Sequence, residues 1–589
     1  MERTILSGNE AIARGAYEAG VRVASAYPGT PSTEILENII DYKDVDASWA
    51  PNEKVALEVA IGASFGGARA LATMKHVGLN VAADPLFTLS YIGVRGGLVL
   101  VVADDPEMHS SQDEQDSRHY ARFAKVPMLE PADSEEARAF TRLGFEISEQ
   151  FDTPVILRST TRISHGKSIV TPLEPVTGLP EPCLQRDPAK LVMLPANARR
   201  RHPLVEQRLL DLESWACTQP FNRVEAGDPE VGVITSGISY QYAKEVFPGA
   251  SVLKLGMVYP LPKQMIRDFA ASVKKLYVVE ELDPFIEDTV KAMGIEVIGK
   301  EIFPICGELT PERVAVAVKG QPLDASYTVN EELPGRPPNM CPGCGHRGLF
   351  HVLKRLGAFV TGDIGCYTLA ALPPLSAMDS CVCMGAGVST ATGLAKALSG
   401  AEQQKVVGVI GDSTFLHTGV NSLMDLVYNQ STATVVILDN SATGMTGRQD
   451  NPGTGFTLRG DVTSQVDLET LCKAIGVKHL QVVDPNNLEA TRMALQEAMA
   501  TAEPSVVIAR RTCMLERRGS GERQTPLKVY PDRCASCRAC LKIGCPAIEW
   551  QESTDGDKGK AVVNALLCVG CKVCEQVCNF DAFGEIDGE

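Results

Sequence analysis

No apolar run in this 589-residue chain approaches the ~18 residues that a bilayer crossing needs. The longest, around Leu98-Val-Leu-Val-Val-Ala103, reads as a buried strand. The opening Met1-Glu-Arg-Thr-Ile-Leu6 lacks the basic and apolar regions of a secretory leader. Basic charge is in deficit: 56 Lys and Arg stand against 73 Asp and Glu, a formal net charge of −17. That balance argues against nucleic acid or an anionic membrane as the main partner. The nine histidines show no zinc-type pairing, and no short-period repeat or low-complexity tract is present. These absences predict a cytoplasmic protein of three to five globular domains, at roughly 100–200 residues per domain.

Cysteine is what the chain has in excess. Eight of its 18 cysteines fall between Cys534 and Cys578, and a cytoplasmic chain does not keep so many as disulfides. Two runs organise them: Cys534-x2-Cys537-x2-Cys540-x4-Cys545-Pro546, and Cys568-x2-Cys571-x2-Cys574-x3-Cys578. Three thiolates at this spacing wrap one iron–sulfur cubane, and the remote fourth ligates the other cluster. The pattern predicts two [4Fe–4S] clusters, one on Cys534, Cys537, Cys540 and Cys578, the other on Cys568, Cys571, Cys574 and Cys545. Zinc ribbons would instead use paired CxxC units. The run departs from the bacterial ferredoxin pattern in its x4 spacing and in Asn579, which stands where Pro is usual; neither change removes a thiolate.

Upstream, short β-branched runs alternate with helix-length segments, as at Val231-Gly-Val-Ile-Thr235, Leu276-Tyr-Val-Val279 and Thr434-Val-Val-Ile-Leu438. Continuous apolar strands of this kind predict α/β domains with parallel sheets covered on both faces. The expected domains are 1–195, a linker at 196–228, then 229–330, 335–515 and a cysteine module at 525–589. Further linkers are expected at 331–338 and 517–522.

Two strands of the third domain end in small polar residues, at Ile410-Gly-Asp-Ser413 and at Leu438-Asp-Asn440. Asp412 and Asn440 offer hard oxygen ligands suited to Mg²⁺. Gly411 admits close backbone approach to a diphosphate, and a helix after Ser413 would point its N-terminus at it. In the first domain, Tyr27-Pro-Gly-Thr-Pro-Ser-Thr33 is a strand-to-helix turn. The charged segment 109–118 follows an apolar strand, where binding loops are commonly found.

Together these segments resemble the 2-oxoacid:ferredoxin oxidoreductase family. The further motifs Cys341-Pro-Gly-Cys-Gly-His-Arg347, Gly362-Asp-Ile-Gly-Cys-Tyr-Thr368 and Cys383-Met-Gly-Ala-Gly387 also support it. The resemblance implies three doubly wound parallel-sheet domains, two binding thiamine diphosphate and one like the C-terminal domain of transketolase, before a ferredoxin-like module. It implies that Glu53 hydrogen-bonds the aminopyrimidine ring of the cofactor and that Thr30 faces the substrate. It places Asp412, Asn440 and the carbonyl of Ala442 on Mg²⁺, with Gly411, Ser413, Gly385 and Cys366 at the cofactor. Asp439-Asn440 stands where the family has Asn-Asn, and Gly345 where it typically has Pro. The domain order is similar to that of the large α subunit in the arylpyruvate-oxidising branch. That branch implies coenzyme A and ferredoxin as co-reactants, a small β subunit and an α2β2 assembly. Cys341, Cys344 and Cys366 resemble ligands of an extra cluster in pyruvate-oxidising relatives; the expectation here is two clusters, with these thiols lining the cofactor pocket. A fourth ligand is left open among Cys381, Cys383, Cys472 and Cys513.

Overall fold

A computed structural model describes residues 3–323, 335, 337–516, 524–552 and 558–586. The expected linkers at 331–338 and 517–522 fall mostly and wholly outside the described residues, respectively. The chain divides into two compact units, Met1–Asn330 and Glu331–Glu589.

The first unit holds two larger sheets and a two-stranded antiparallel pair, Thr4–Ser7 with Lys167–Val170. Strand Leu98–Asp104, buried at every residue, runs between Ala70–Lys75 and Val155–Thr160 in a seven-stranded sheet. All its pairings are parallel except the edge strand Met257–Tyr259, which runs antiparallel to Met128–Leu129. The second sheet pairs Lys275–Val279, Asp228–Ser236 and Ala250–Leu255 in parallel, with Arg223–Glu225 antiparallel at its edge. Buried ion pairs join the two layers. Arg158 binds Asp104 and Glu130, Arg118 binds Asp116 and Glu280, and the Ser236 hydroxyl donates to Glu130 at 2.7 Å.

The stretch 196–228, expected as a linker, is largely the 22-residue helix Pro195–Ala216. Its arginines satisfy the orphan carbonyls that end helix Ala83–Ile92: Arg201 donates to Tyr91 and Ile92, and Arg208 to Ser90. Expected only to connect two domains, the stretch braces a helix terminus. Arg223–Glu225, within the same stretch, is a strand of the second sheet.

The second unit carries an all-parallel six-stranded sheet, ordered Ser380–Cys381, Phe359–Gly362, Val406–Gly411, Thr434–Asp439, Ser505–Arg510 and His479–Val483. Its faces feed different cores: Val407, Val409, Val436 and Leu438 pack into one, and Val406, Ile410, Val435 and Ile437 into the other. That alternation is why these strands read as unbroken apolar runs. The cysteine module adds two antiparallel pairs, Leu527–Val529 with Phe583–Glu585 and Ile548–Gln551 with Lys560–Val563. No helix among the described residues is long and apolar enough to cross a membrane.

Candidate functional site

Strands Val406–Gly411 and Thr434–Asp439 pair in parallel with Gly411 opposite Leu438, so both leave the sheet at one edge. Asp412 follows the first strand, is 3% exposed, and its buried Oδ2 has no hydrogen-bond partner. Burial, and then the adjacent Asp439, push its carboxyl up to about 8, against the pull of the backbone N–H groups of Ser413, Ala442 and Ser441. Ser441 takes φ 54° in the turn that presents these groups. Asn440 Oδ1 accepts from the Ala442 N–H at 3.2 Å, and Ser413 meets the Thr443 hydroxyl at 2.8 Å. A buried carboxylate oxygen without a partner is costly, and oxygen donors of this kind suit a hard divalent cation that keeps phosphate oxygens as its other ligands. The residues present therefore fit Mg²⁺ and a diphosphate.

The turns around Asp412 are held by a chain of hydrogen bonds. The Gly411 N–H donates to the Tyr367 hydroxyl at 3.0 Å, and that hydroxyl donates to Asp363. The other Asp363 oxygen accepts from the Gly385 N–H at 2.8 Å, and burial pushes the Asp363 carboxyl up to about 7. A Cβ at Gly411 would lie 2.9 Å from the Tyr367 ring. Gly385 caps helix Ala386–Ala397 at φ 89°, where a Cβ would meet Thr418 Oγ1 at 2.2 Å. Expected to touch the cofactor, Gly385 has its own N–H engaged by Asp363. The sequence motif 362–368 singled out Cys366 and passed over Asp363 and Tyr367, whose part shows only when three strand ends are brought together.

Cys366 opens the short helical turn Cys366–Ala371. Its Sγ and Asn440 Nδ2 lie 3.4 and 3.5 Å from the point that a Cβ on Gly444 would occupy, so the thiol adjoins the loop carrying Asn440. Burial pushes Cys366 up to about 11 and Cys344 up to about 12; the electrostatic neighbours of the first include Cys513 and Cys341, and of the second Cys366 and Cys341. Four thiols from three parts of the chain are thus electrostatic neighbours. Of the other cysteines weighed for this group, Cys472 is fully buried in the core, and Cys381 and Cys383 are exposed near Asp363. Gly345 has φ −59°, a value proline also takes.

In the cysteine module, Cys534, Cys537, Cys540 and Cys578 line one cavity. Cys545, Cys571 and Cys574 line a second together with Gly343, Cys344 and Arg347, and Cys568 is an electrostatic neighbour of Cys571 and Cys574. Burial pushes the Cys540 thiol up to about 11. Among the described residues no three thiols lie within 4.8 Å of one another. Tetrahedral zinc would hold them about 3.8 Å apart; a cubane spaces its ligands more widely. The extra residue before Cys545 is taken up at Gly544, which has φ 71°.

At the carboxyl edge of the first sheet, Asn52 caps helix Glu53–Phe65 by accepting from the Val55 N–H at 2.9 Å. Glu53 is thereby set in the first turn, 5% exposed. A Cβ on Gly78 would stand 2.6 Å from Glu53 Oε1, so glycine is what lets the carboxylate pack there. The Thr30 carbonyl accepts from Ser110 Oγ at 3.4 Å, and Lys75 Nζ donates to the Ser110 carbonyl at 2.6 Å. The beginning of the 109–118 loop therefore folds against Thr30, whereas its end, Asp116 to Arg118, is buried in the ion-pair network. Burial lowers Lys75 to about 8 despite Asp105 and Asp113. Lys75, missed in the sequence, ends strand Ala70–Lys75, and a charged residue closing an apolar strand was the available signal.

With the geometry in hand, two family models match. One, described as pyruvate flavodoxin/ferredoxin oxidoreductase, thiamine diP-bdg, covers residues 14–202. The other, thiamine pyrophosphate enzyme, C-terminal TPP binding domain, covers 363–509. The pair defines a thiamine diphosphate-dependent 2-oxoacid:ferredoxin oxidoreductase. The chain is 42% identical to the indolepyruvate oxidoreductase subunit IorA of Archaeoglobus fulgidus, covering 98% of this chain and 96% of that protein. It is 40% identical to subunit IorA of Pyrococcus horikoshii, covering 100% and 98%. The chain belongs to the indolepyruvate oxidoreductase subunit IorA family. Among solved structures, a 2-oxoglutarate:ferredoxin oxidoreductase from Magnetococcus marinus matches 54% of this chain and 65% of its own at 19% identity and TM-score 0.44.

Proposed function

We propose that this chain is the large α subunit of a cytoplasmic enzyme that oxidatively decarboxylates indolepyruvate and similar arylpyruvates. The 2-oxoacid and coenzyme A give the aryl-acetyl-CoA, CO₂ and two electrons, which pass singly to ferredoxin. A small β subunit completes the enzyme as α2β2. The observation that carries this reading is the unpartnered oxygen of Asp412 beside Asn440, with the Cys366 thiol against the same loop.

Thiamine diphosphate, when bound, supplies the carbon that attacks the ketone and retains the electron pair left by CO₂. The chain's own residues do the rest. Asp412, Asn440 and the Ala442 carbonyl hold Mg²⁺, Gly411 and Ser413 border the diphosphate, and Gly385 shapes the turn beside it. Glu53 hydrogen-bonds the aminopyrimidine, and Thr30 orients the 2-oxoacid. Cys534, Cys537, Cys540 and Cys578 hold one [4Fe–4S] cluster, and Cys545, Cys568, Cys571 and Cys574 a second. Against the expectation of two clusters alone, Cys341, Cys344, Cys366 and Cys513 have the convergence needed for a third, between the Asn440 loop and the cavity of Cys545.

The test is acceptor-linked turnover of the enzyme purified with its small subunit, across indolepyruvate, phenylpyruvate, phenylglyoxylate and branched-chain 2-oxoacids. Coenzyme A-dependent reduction of ferredoxin or viologen, fastest with arylpyruvates, is expected. Preference for another 2-oxoacid would move the substrate assignment, and aldehyde release without acceptor reduction would overturn the oxidative reading.

A further inference from the structure

Arg347 is 3% exposed, and no carboxylate among the described residues pairs with it. Its donors are all engaged by neutral oxygens. Nε donates to the Cys341 carbonyl at 3.2 Å, Nη1 to the carbonyls of Ile543 at 3.2 Å and Gly544 at 2.5 Å, and Nη2 to Asn339 Oδ1 at 3.0 Å and to the Met340 carbonyl. Carbonyl dipoles satisfy the N–H groups but do not cancel the charge, and buried charges are normally paired. The buried ion-pair network of Arg118 and Arg158 shows how this chain pairs guanidinium groups elsewhere. Around Arg347 the candidate anions are thiols: its electrostatic neighbours are Cys545, Cys344, Cys341 and Cys571. The side chain also lines the cavity of Cys545, Cys571 and Cys574.

We propose that Arg347 is the fixed counter-charge of the cluster held by Cys545, Cys568, Cys571 and Cys574, and that it raises that cluster's reduction potential. The inference rests on the cluster reading given above. A cubane on four thiolates is anionic, and each electron it accepts adds one negative charge. A guanidinium held beside it by five hydrogen bonds stabilises the reduced form more than the oxidised one. All five hydrogen bonds of Arg347 go to protein oxygens, so it is a positioning residue acting through the cluster. The effect makes this cluster, which shares a wall with Cys344, the favoured acceptor for electrons leaving the sheet, ahead of the cluster on Cys534, Cys537, Cys540 and Cys578.

The experiment is an EPR-monitored redox titration of the intact enzyme, with iron and sulfide content measured alongside. Arg347→Gln should lower the midpoint of the Cys545 cluster by at least about 59 mV, tenfold in the one-electron equilibrium, while that of the cluster on Cys534, Cys537, Cys540 and Cys578 stays put. Arg347→Lys, which keeps the charge, should restore most of the shift. Asn339→Asp places a carboxylate on Nη2 at an exposed position, away from the core, and should shift the same midpoint in the same direction by less. If Arg347→Gln loads its iron and no midpoint moves, the proposal is overturned. If it fails to load, Asn339→Asp decides, and an unmoved midpoint there overturns it. Wild-type protein that carries no [4Fe–4S] cluster at all would instead sink the cluster reading beneath it.

Discussion

The carboxyl edges of the first and third sheets handle buried charge in opposite ways. At the first, Asp105 accepts from the Ser110 N–H at 2.8 Å, Ser111 Oγ at 2.5 Å and Thr161 Oγ1 at 2.6 Å. Burial works against its ionised form, but these bonds and Lys75 hold it below the usual carboxylate range. Asp105 is thus satisfied by protein groups alone. At the third sheet, Asp412 keeps an unpartnered oxygen and has the anion Asp439 beside it. On the proposed reading, a cation completes this charge. Cation dependence should therefore reside in the second unit, and substitutions at the two edges should fail differently.

The largest effect is expected from Asp412→Asn. Turnover and retention of thiamine diphosphate should both be lost. The ordinary carboxyl value of 3.8 is raised to about 8 in the fold, so the folded chain binds this proton more tightly than the unfolded one. The associated stability is complete below about pH 4 and is lost as pH rises through about 8. Chelator-treated wild-type protein should thus lose thermal stability between those limits and regain it with Mg²⁺ and thiamine diphosphate. In Asp412→Asn the same scan should be flatter, with a higher unfolding midpoint at pH 8. A variant less stable at pH 8 that still turns over would break the comparison.

Glu53→Gln should act on chemistry without touching that cation linkage. A fall in kcat on the order of 10²–10⁴ is expected for removing a proton-transfer group. Cofactor content, cluster EPR signals and the pH dependence of cofactor-free stability should match wild type. Loss of bound Mg²⁺ in Glu53→Gln would show that the two edges are not independent.

What could be read beforehand divides along the same line of locality. The eight thiols of the module lie in two short runs, so their spacing alone carried the assignment. Strands such as Val406–Gly411 were legible because a sheet covered on both faces selects apolar residues at every position. Of the group Cys341, Cys344, Cys366 and Cys513, the first three were legible through the resemblance; the choice of Cys513 over Cys381, Cys383 and Cys472 was not, since Cys513 follows strand Ser505–Arg510 and reaches the others only through the order of strands in the sheet. Helix Pro195–Ala216 was hidden for a related reason: Arg201 and Arg208 look solvated until the carbonyls they cap are in place. Asp363 and Tyr367 sat inside a recognised motif, yet their partners Gly385 and Gly411 are supplied by other strands.

The smallest expected effect, and the finest test of the contrast, is Asp439→Asn, which restores the family's Asn-Asn. Asp439 is the second cause, after burial, of the raised Asp412 carboxyl. It is itself tied to Arg510 Nε at 2.7 Å, a partly exposed pair worth about 1 kcal/mol at most. Removing the anion should ease ionisation of Asp412, so the stability loss of the cofactor-free protein should be smaller and be complete at a lower pH than in wild type. The same change removes negative charge near the metal, so the Mg²⁺ concentration for half-maximal turnover should rise severalfold while saturated kcat holds. If Asp439→Asn instead abolished turnover, Asp439 would have to be a ligand in its own right, and the site would rest on two carboxylates where Asp412 and Asn440 now suffice.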